Sequence, residues 1–420
     1  MRNRRALAWL SIIGGVILIG LIVLLVIGNY NYAQQNPGGN DFLVHWVGTR
    51  DFLTKGSSPY SDETALHIQT LAYGRAALPG EHELRVAYPF YSAGLFMPFA
   101  LIEDYNMARA AWMTVLELAL FFMTLATMRL MRWKISPLIL VFFILFSIFW
   151  YHAVRPVING NAVILIALGV VGVFLALRND LDELAGILLA VVTIKPQVVI
   201  LIVLFVLIWA FSRRRWRLIT WFFGMMVLLI AVGMLFLPDW IFQNLREVMR
   251  YASYNPPGTP GQAFAVWLPA TGERLGYGLS AILAVVLLLE WWLARKADFR
   301  HFLWTACLTL VVSQWIGIQT DPGNYIVCFP ALALIFATWE RRWHFRGSLM
   351  VFFSMLLLGV GLWMLFLGTL ETGYQPQQSP VMIFPLPAFL LVGLYWVRWW
   401  ALRPPTMLFE QLMEKDHPDL

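Results

Sequence analysis

Along the 420 residues the apolar positions fall in blocks near bilayer length, parted by short polar or basic stretches. They do not alternate with period two, so the chain is expected to cross a membrane as helices and not as barrel strands. The blocks are Ala6–Ile27, Pro89–Ile102, Ala108–Leu130, Pro137–His152, Ala162–Leu177, Leu184–Ala210, Leu218–Leu237, Leu275–Ala294, Phe302–Ile318, Tyr325–Trp339, Leu349–Leu367 and Val381–Trp400. Counting each predicts about 12 transmembrane segments. The alternative makes two of them re-entrant, because Pro89–Ile102 is short and Pro196 can fold Leu184–Ala210 into a hairpin. Residues 28–87 form a first outer loop. Within it Asp41–Thr54 and Asp62–Ala77 have helical spacing and predict amphipathic helices lying on the membrane surface. Residues 238–274 form a second large outer loop, and 403–420 a cytoplasmic tail.

Composition agrees. The chain is 60% hydrophobic and 13% charged, with mean hydropathy +0.69, against roughly 25% charged in soluble domains. The expectation is an all-α polytopic membrane protein with no separate soluble domain. The formal charge of +6 does not mark a nucleic-acid binder, since the basic residues sit in clusters between spans. Arg2/Arg4/Arg5, Arg213/Arg214/Arg215/Arg217, Arg295/Lys296/Arg300 and Arg341/Arg342/Arg346 read as cytoplasmic, and Arg398 and Arg403 put the C-terminal tail there too. Met1–Ile27 lacks a small-x-small cleavage site and reads as a retained helix. No Walker loop, dinucleotide fingerprint or HExxH motif occurs, and the seven histidines do not cluster at metal spacing. No metal site is expected, although a divalent cation remains compatible with the sequence.

Chemistry concentrates in a few polar positions beside apolar surface. Asp41 and His45 lie one helical turn apart on one face. An acid at a membrane boundary is suited to base work, but from spacing alone the stronger reading is that Asp41 caps the helix that follows Gly-Gly-Asn. Arg85 and Tyr88, at the entry to the second block, read either as a phosphate and sugar site or as an interfacial anchor. Lys195, beside Pro196 within an apolar run, either snorkels or binds a lipid phosphate; the helix break at the charge favours the second. Asn159-Gly160-Asn161 and the late outer loop around Asp321, Asn324 and Tyr325 are ordinary turn sequences taken singly. Glu117, near mid-span, needs a partner or a proton, and Glu290 lies near a cytoplasmic end.

The order of these motifs resembles glycosyltransferase family 87 of the GT-C superfamily. It runs from an acid-aromatic segment ending Gly-Ser-Ser-Pro-Tyr through Tyr88-Pro89, Asn159-Gly160-Asn161, Leu184-Ala185-Gly186 leading to Lys195-Pro196, and Asn324-Tyr325. The resemblance spans about Arg4 to Trp339 and favours the twelve-span count. It implies a GT-C-type helical bundle in a bacterial plasma membrane. The implied reaction moves a hexose, such as mannose, from a polyprenyl-phosphate donor to a lipid or glycan acceptor on the outer face, with inversion. Asp41 would be the catalytic base, with His45 beside it. Arg85, Lys195 and Asn324 would bind the donor phosphate, and Trp46, Tyr88, Tyr325, Asn159 and Asn161 would line the substrate. Relatives often carry His before the late-loop Tyr, where this chain has Asn324, and Tyr where it has His45. A flippase of lipid-linked sugars is the alternative, but repeated halves and paired mid-span charges are not visible.

Overall fold

The computed structural model describes residues 2–254, 258–316, 321–370 and 378–403. Eighteen α-helices appear among them, with short 3₁₀ and π turns and no strand. In chain order they are α1 (Arg2–Gln35), α2 (Asn40–Lys55), α3 (Asp62–Tyr73), α4 (Ala93–Ala100), α5 (Tyr105–Met131), α6 (Pro137–Phe149), α7 (Tyr151–Asn159), α8 (Val163–Arg178), α9 (Asp182–Val191), α10 (Pro196–Ser212), α11 (Trp216–Phe236), α12 (Trp240–Tyr254), α13 (Pro260–Trp267), α14 (Gly272–Ala294), α15 (Phe299–Val312), α16 (Phe329–Leu356), α17 (Leu362–Thr369) and α18 (Pro385–Leu402).

The protein is an all-helical, multi-pass membrane protein. Among the described residues six segments are long and apolar enough to cross a bilayer: Tyr105–Met131, Pro137–Asn159, Trp216–Phe236, Gly272–Ala294, Pro322–Thr369 and Pro380–Leu402. Further expected spans correspond to shorter apolar helices, Phe90–Ala100, Val163–Arg178, Pro196–Ser212 and Phe299–Val312. Two expected spans, Tyr325–Trp339 and Leu349–Leu367, both lie in Pro322–Thr369, on either side of a sharp break at His344, with φ 46° and ψ −117°. The Leu184–Ala210 block breaks at Lys195–Pro196 into pieces too short to count, because a proline cannot complete the helical ladder. Pro89–Ile102 yields only the eight-residue α4, with Pro98 inside it.

The chain divides into two compact units. The first comprises Met1–Ala119, Arg155–Ala162 and Val232–Asn255. Its centre is α2, which buries Phe42 through Thr49 and Asp51. The expectation that this helix lies on the membrane surface is therefore corrected: neighbouring segments enclose it, stacking Phe42 on Trp112 with 5.7 Å between ring centroids. Helix α3 is only partly buried, through Thr64, Ala65, Ile68 and Gln69. Within this unit Glu117 has a partner, since Asn29 Nδ2 donates to its carboxylate at 2.8 Å and to Thr114 Oγ1 at 3.0 Å.

Helix α12 docks onto the segment that follows α3 through its polar side. Glu247 is wholly buried, while Ile241, Phe242, Leu245, Val248 and Met249 form an exposed apolar stripe on the opposite face.

The second unit comprises Leu120–Val154, Val163–Ala231 and Pro256–Leu420. Helices α15 and α16 form its heart, with Phe302–Val312 and Phe329–Ala333 buried. Trp304 Nε1 donates to Leu394 O at 2.9 Å, tying α15 to α18. Glu290 accepts from Arg398 at 2.9 Å, so this acid is paired.

Candidate functional site

Asp41 stands in the first turn of α2, where the exposed N–H groups and helix dipole favour a negative charge. Gly39, with φ +78°, occupies the cap position, so the chain enters the helix through a glycine. A Cβ there would come within 2.5 Å of Arg109 Nε. Asn161 Nδ2 donates to Asp41 Oδ2 at 2.9 Å.

The turn that supplies Asn161 is pinned from three sides. Gly160 has φ +69°, and a Cβ on it would meet Phe42 Cβ at 2.4 Å, so only glycine lets the turn lie against α2. Trp112 Nε1 donates to Gly160 O at 2.8 Å. Arg109, 1% exposed, joins two segments by donating to Asn36 O at 2.7 Å and Ile158 O at 3.0 Å. The structure thus joins two of the motifs singled out by sequence, the Asp41 segment and Asn159-Gly160-Asn161. Arg109 and Trp112 were not singled out. Their signal was an arginine and a tryptophan three residues apart at the start of an apolar helix, which reads equally well as an interfacial anchor.

His45 lies one turn along α2 from Asp41. Its ring sits against Tyr88 at 4.1 Å and is stacked on Phe96 at 4.5 Å. Tyr88 is held by its own backbone, whose carbonyl accepts from Tyr60 Oη at 2.7 Å and Asn244 Nδ2 at 3.1 Å. Burial, then the nearby Asp41 charge, raises the Tyr88 pKa well above its ordinary value. The Tyr88 hydroxyl therefore stays protonated. Trp46 is buried in the same core. Its indole N–H donates to Phe99 O at 3.0 Å, and its ring packs edge-on against Tyr105. Asn159 ends α7 and is half-buried.

Arg85 is also in the first unit, with its side chain 6% exposed. Its guanidinium donates to Glu247 at 2.5 Å and Asp62 at 2.6 Å, with Glu83 at 3.9 Å. Burial works against the charged form, but the carboxylates of Glu247 and Asp62 outweigh it and raise the Arg85 pKa. The arrangement clamps α12 to α3 and the segment that follows it.

Lys195, Asn324 and Tyr325 belong to the second unit. Lys195 is 3% exposed and sits at the break between a 3₁₀ turn and α10, with φ −122° and ψ 75°. Asn324 and Tyr325 lie in the 3₁₀ segment Pro322–Cys328, both buried. Tyr325 Oη donates to Ile383 O at 3.2 Å. Asp321 closes this segment by accepting from Gly323 N at 2.5 Å. Gln319 and Thr320 of the late loop lie outside the described residues. His152 was not singled out by sequence. Its Nδ1 is 2.7 Å from Pro322 O, which can only accept, so that nitrogen carries the proton. No group of three or more His, Cys, Asp or Glu suited to a metal ion occurs among the described residues.

A family model described as Glycosyltransferase family 87 matches residues 87–314, more than half of the chain, and the chain belongs to that family. No curated protein and no solved structure matches it. The matched range includes Tyr88, Asn159, Asn161 and Lys195. It begins after Asp41, His45, Trp46 and Arg85 and ends before Asn324 and Tyr325.

Proposed function

We propose that this member of glycosyltransferase family 87 transfers a hexose from a polyprenyl-phosphate donor to a lipid or glycan hydroxyl at the outer face of the membrane, with inversion. Family membership supports a glycosyltransferase activity. The observation that carries the finer reading is the 2.9 Å bond from Asn161 to Asp41, a carboxylate at a helix N-terminus fixed by an amide from another segment. Hydrogen bonding to the ionised form keeps a carboxylate charged and oriented, which a general base requires.

In this reading Asp41 takes the proton of the acceptor hydroxyl as its oxygen attacks the anomeric carbon from the face opposite the phosphate. The new C–O bond forms as the old one breaks, and the electron pair leaves with the polyprenyl phosphate, which needs little acid assistance. Tyr88, beside His45, lines the substrate. For Arg85 we propose a clamp role in place of phosphate binding, since Glu247 and Asp62 already hold its guanidinium. Lys195 and Asn324 keep the phosphate-binding part, as a buried cation at a helix break and a buried amide.

The test is a donor screen of the purified protein in lipid nanodiscs with polyprenyl-phosphate mannose, glucose and arabinose, run beside Asp41→Asn. New glycosidic bond formation by the wild type, and its loss in Asp41→Asn with an unchanged melting profile, is expected. Full activity in the variant removes Asp41 from the base role. Movement of lipid-sugar across the bilayer with no new bond replaces the reading with a flippase.

A further inference from the structure

The first unit contains a second feature that the transfer reading leaves unused. A groove of about 380 Å³ opens between α3, the segment 77–85 and the C-terminal end of α12. Its size falls within the roughly 300–1,000 Å³ of small-ligand sites.

Its lining has a definite chemical character. The ionised groups are three carboxylates, Asp62, Glu81 and Glu83, against two guanidiniums, Arg85 and Arg250. Both cations are already engaged. Arg85 binds Glu247 and Asp62, and Arg250 binds Glu83 at 2.8 Å. The third carboxylate, Glu81, is held by Arg75 at 2.7 Å, so the charges balance and no cation is left over, which disfavours a phosphate or another anion. Carboxylates that face water are good acceptors for ligand hydroxyls.

One aromatic residue, Tyr254, lines the groove, with two more rings behind it. Tyr254 packs with His82 at 5.0 Å and Tyr251 at 5.4 Å between ring centroids. Tyr254 is 9% exposed, and its buried hydroxyl has no hydrogen-bond partner among the described residues. A buried hydroxyl without a partner is costly, so a ligand hydroxyl that reaches it is rewarded.

The direction of the groove follows from α12. The helix presents Arg250 and Tyr254 to the groove on the side that carries Glu247, and its exposed stripe of Phe242, Leu245 and Met249 lies opposite. Helix α12 starts four residues after the apolar span that ends at Phe236. Lipid is the medium that suits such a stripe. The groove side of the helix then faces water, which selects a hydrophilic ligand and not an acyl chain.

We propose that this groove binds a neutral, hydroxyl-rich saccharide, with Tyr254 at its wall and the carboxylates on its hydroxyls. The assignment rests on the transfer reading only in placing this saccharide on the acceptor side, as the part of a glycan acceptor beyond the sugar that reacts.

The experiment uses full-length protein in nanodiscs and neutral mannose and glucose tetrasaccharides, with a uronic-acid tetrasaccharide as the anionic comparison. Binding is read by saturation-transfer NMR and calorimetry. Ser253 is exposed on the groove rim, so Ser253→Trp fills the groove without disturbing a buried position. A neutral tetrasaccharide is expected to bind the wild type. Ser253→Trp is expected to weaken it by about tenfold or more, a change of ~1.4 kcal/mol per decade. In transfer assays Ser253→Trp raises KM for a glycan acceptor and leaves kcat, and transfer to a short alkyl acceptor, unchanged. Asp41→Asn binds the tetrasaccharide like the wild type, so the groove is judged separately from the catalytic assignment. Absence of neutral-saccharide binding, preference for the uronic-acid probe, or equal binding by Ser253→Trp overturns the proposal.

Discussion

Helices α2 and α12 are nearly equal in length and belong to the same unit, yet they meet their surroundings in opposite ways. Helix α2 is enclosed on nearly every side and takes polar groups in with it, His45, Thr49 and Asp51 among them. Helix α12 is half enclosed, and the enclosed half is the polar one: Glu247 is 0% exposed and Phe242 78%. Enclosure lets α2 hold a carboxylate against an amide with fixed geometry. Amphipathicity lets α12 dock through polar groups and leave an apolar stripe exposed. Nearness to an apolar span in sequence is therefore a poor guide to which helix keeps an exposed apolar face.

The sharpest test of this contrast is within α2 itself. Asp41→Asn should cost about 10²–10⁴-fold in turnover, the usual weight of a general base. Asp51 lies on the same helix but is paired with Lys55 at 2.8 Å and His67 at 2.7 Å. Asp51→Asn should leave turnover within a few-fold while lowering the melting temperature. Equal losses of turnover in both would mean that enclosure of α2, and not Asp41, carries the effect.

On the α12 side, Glu247→Leu strands the Arg85 guanidinium with Asp62, which is 86% exposed, as its nearest remaining counter-charge. Breaking a buried ion pair from one side costs about 3–5 kcal/mol. Thermal unfolding and protease sensitivity of residues 238–254 should both report it, and Arg85→Met in the same chain should restore part of the loss. Gly160→Ala comes next. The added Cβ would meet Phe42 at 2.4 Å, so the turn must move and carry Asn161 off Asp41. A displacement of about 1 Å costs on the order of 10²-fold in rate. Unchanged kcat with a correctly folded Gly160→Ala protein would show that the Asn161 bond does not matter.

Much of the site was legible in sequence, but unevenly. Asp41 and Asn161 were both found because each is a polar residue beside an apolar block. Their contact was not, because it depends on Gly160 and on the buried Arg109 and Trp112 that hold the turn. Arg85 was read as a phosphate site or an interfacial anchor because its partner Glu247 is 162 residues away. Helix α12 was read as loop because its stripe is interrupted by charges, and local pattern alone does not tell which face meets protein. The break at Lys195–Pro196 was readable because proline acts locally.

A pH prediction addresses the docked face of α12. Burial lowers the pKa of His82 to about 4, and the neutral ring accepts from Leu84 N at 3.0 Å through Nδ1. An unfolded histidine titrates near 6.5. Between those values the unfolded chain binds the extra proton, so the contribution present above pH 6.5 is lost as pH falls towards 4. Protease sensitivity of this segment should rise over that window, and His82→Phe should flatten the dependence.

The smallest effect belongs to the exposed face of α12. Phe242→Cys removes a side chain with few protein neighbours, so the unfolding midpoint in detergent should shift by no more than about 0.5 kcal/mol in stability. The informative readout is where the new thiol lies. Cys307 and Cys328 are buried, so a spin label added under native conditions reports the engineered position. A label at Phe242→Cys should relax with lipid-soluble oxygen, and one at Ser253→Cys with an aqueous nickel complex. If both respond to nickel alone, the stripe faces water. The inversion that separates α12 from α2 then disappears, and with it the argument that the saccharide groove opens away from lipid.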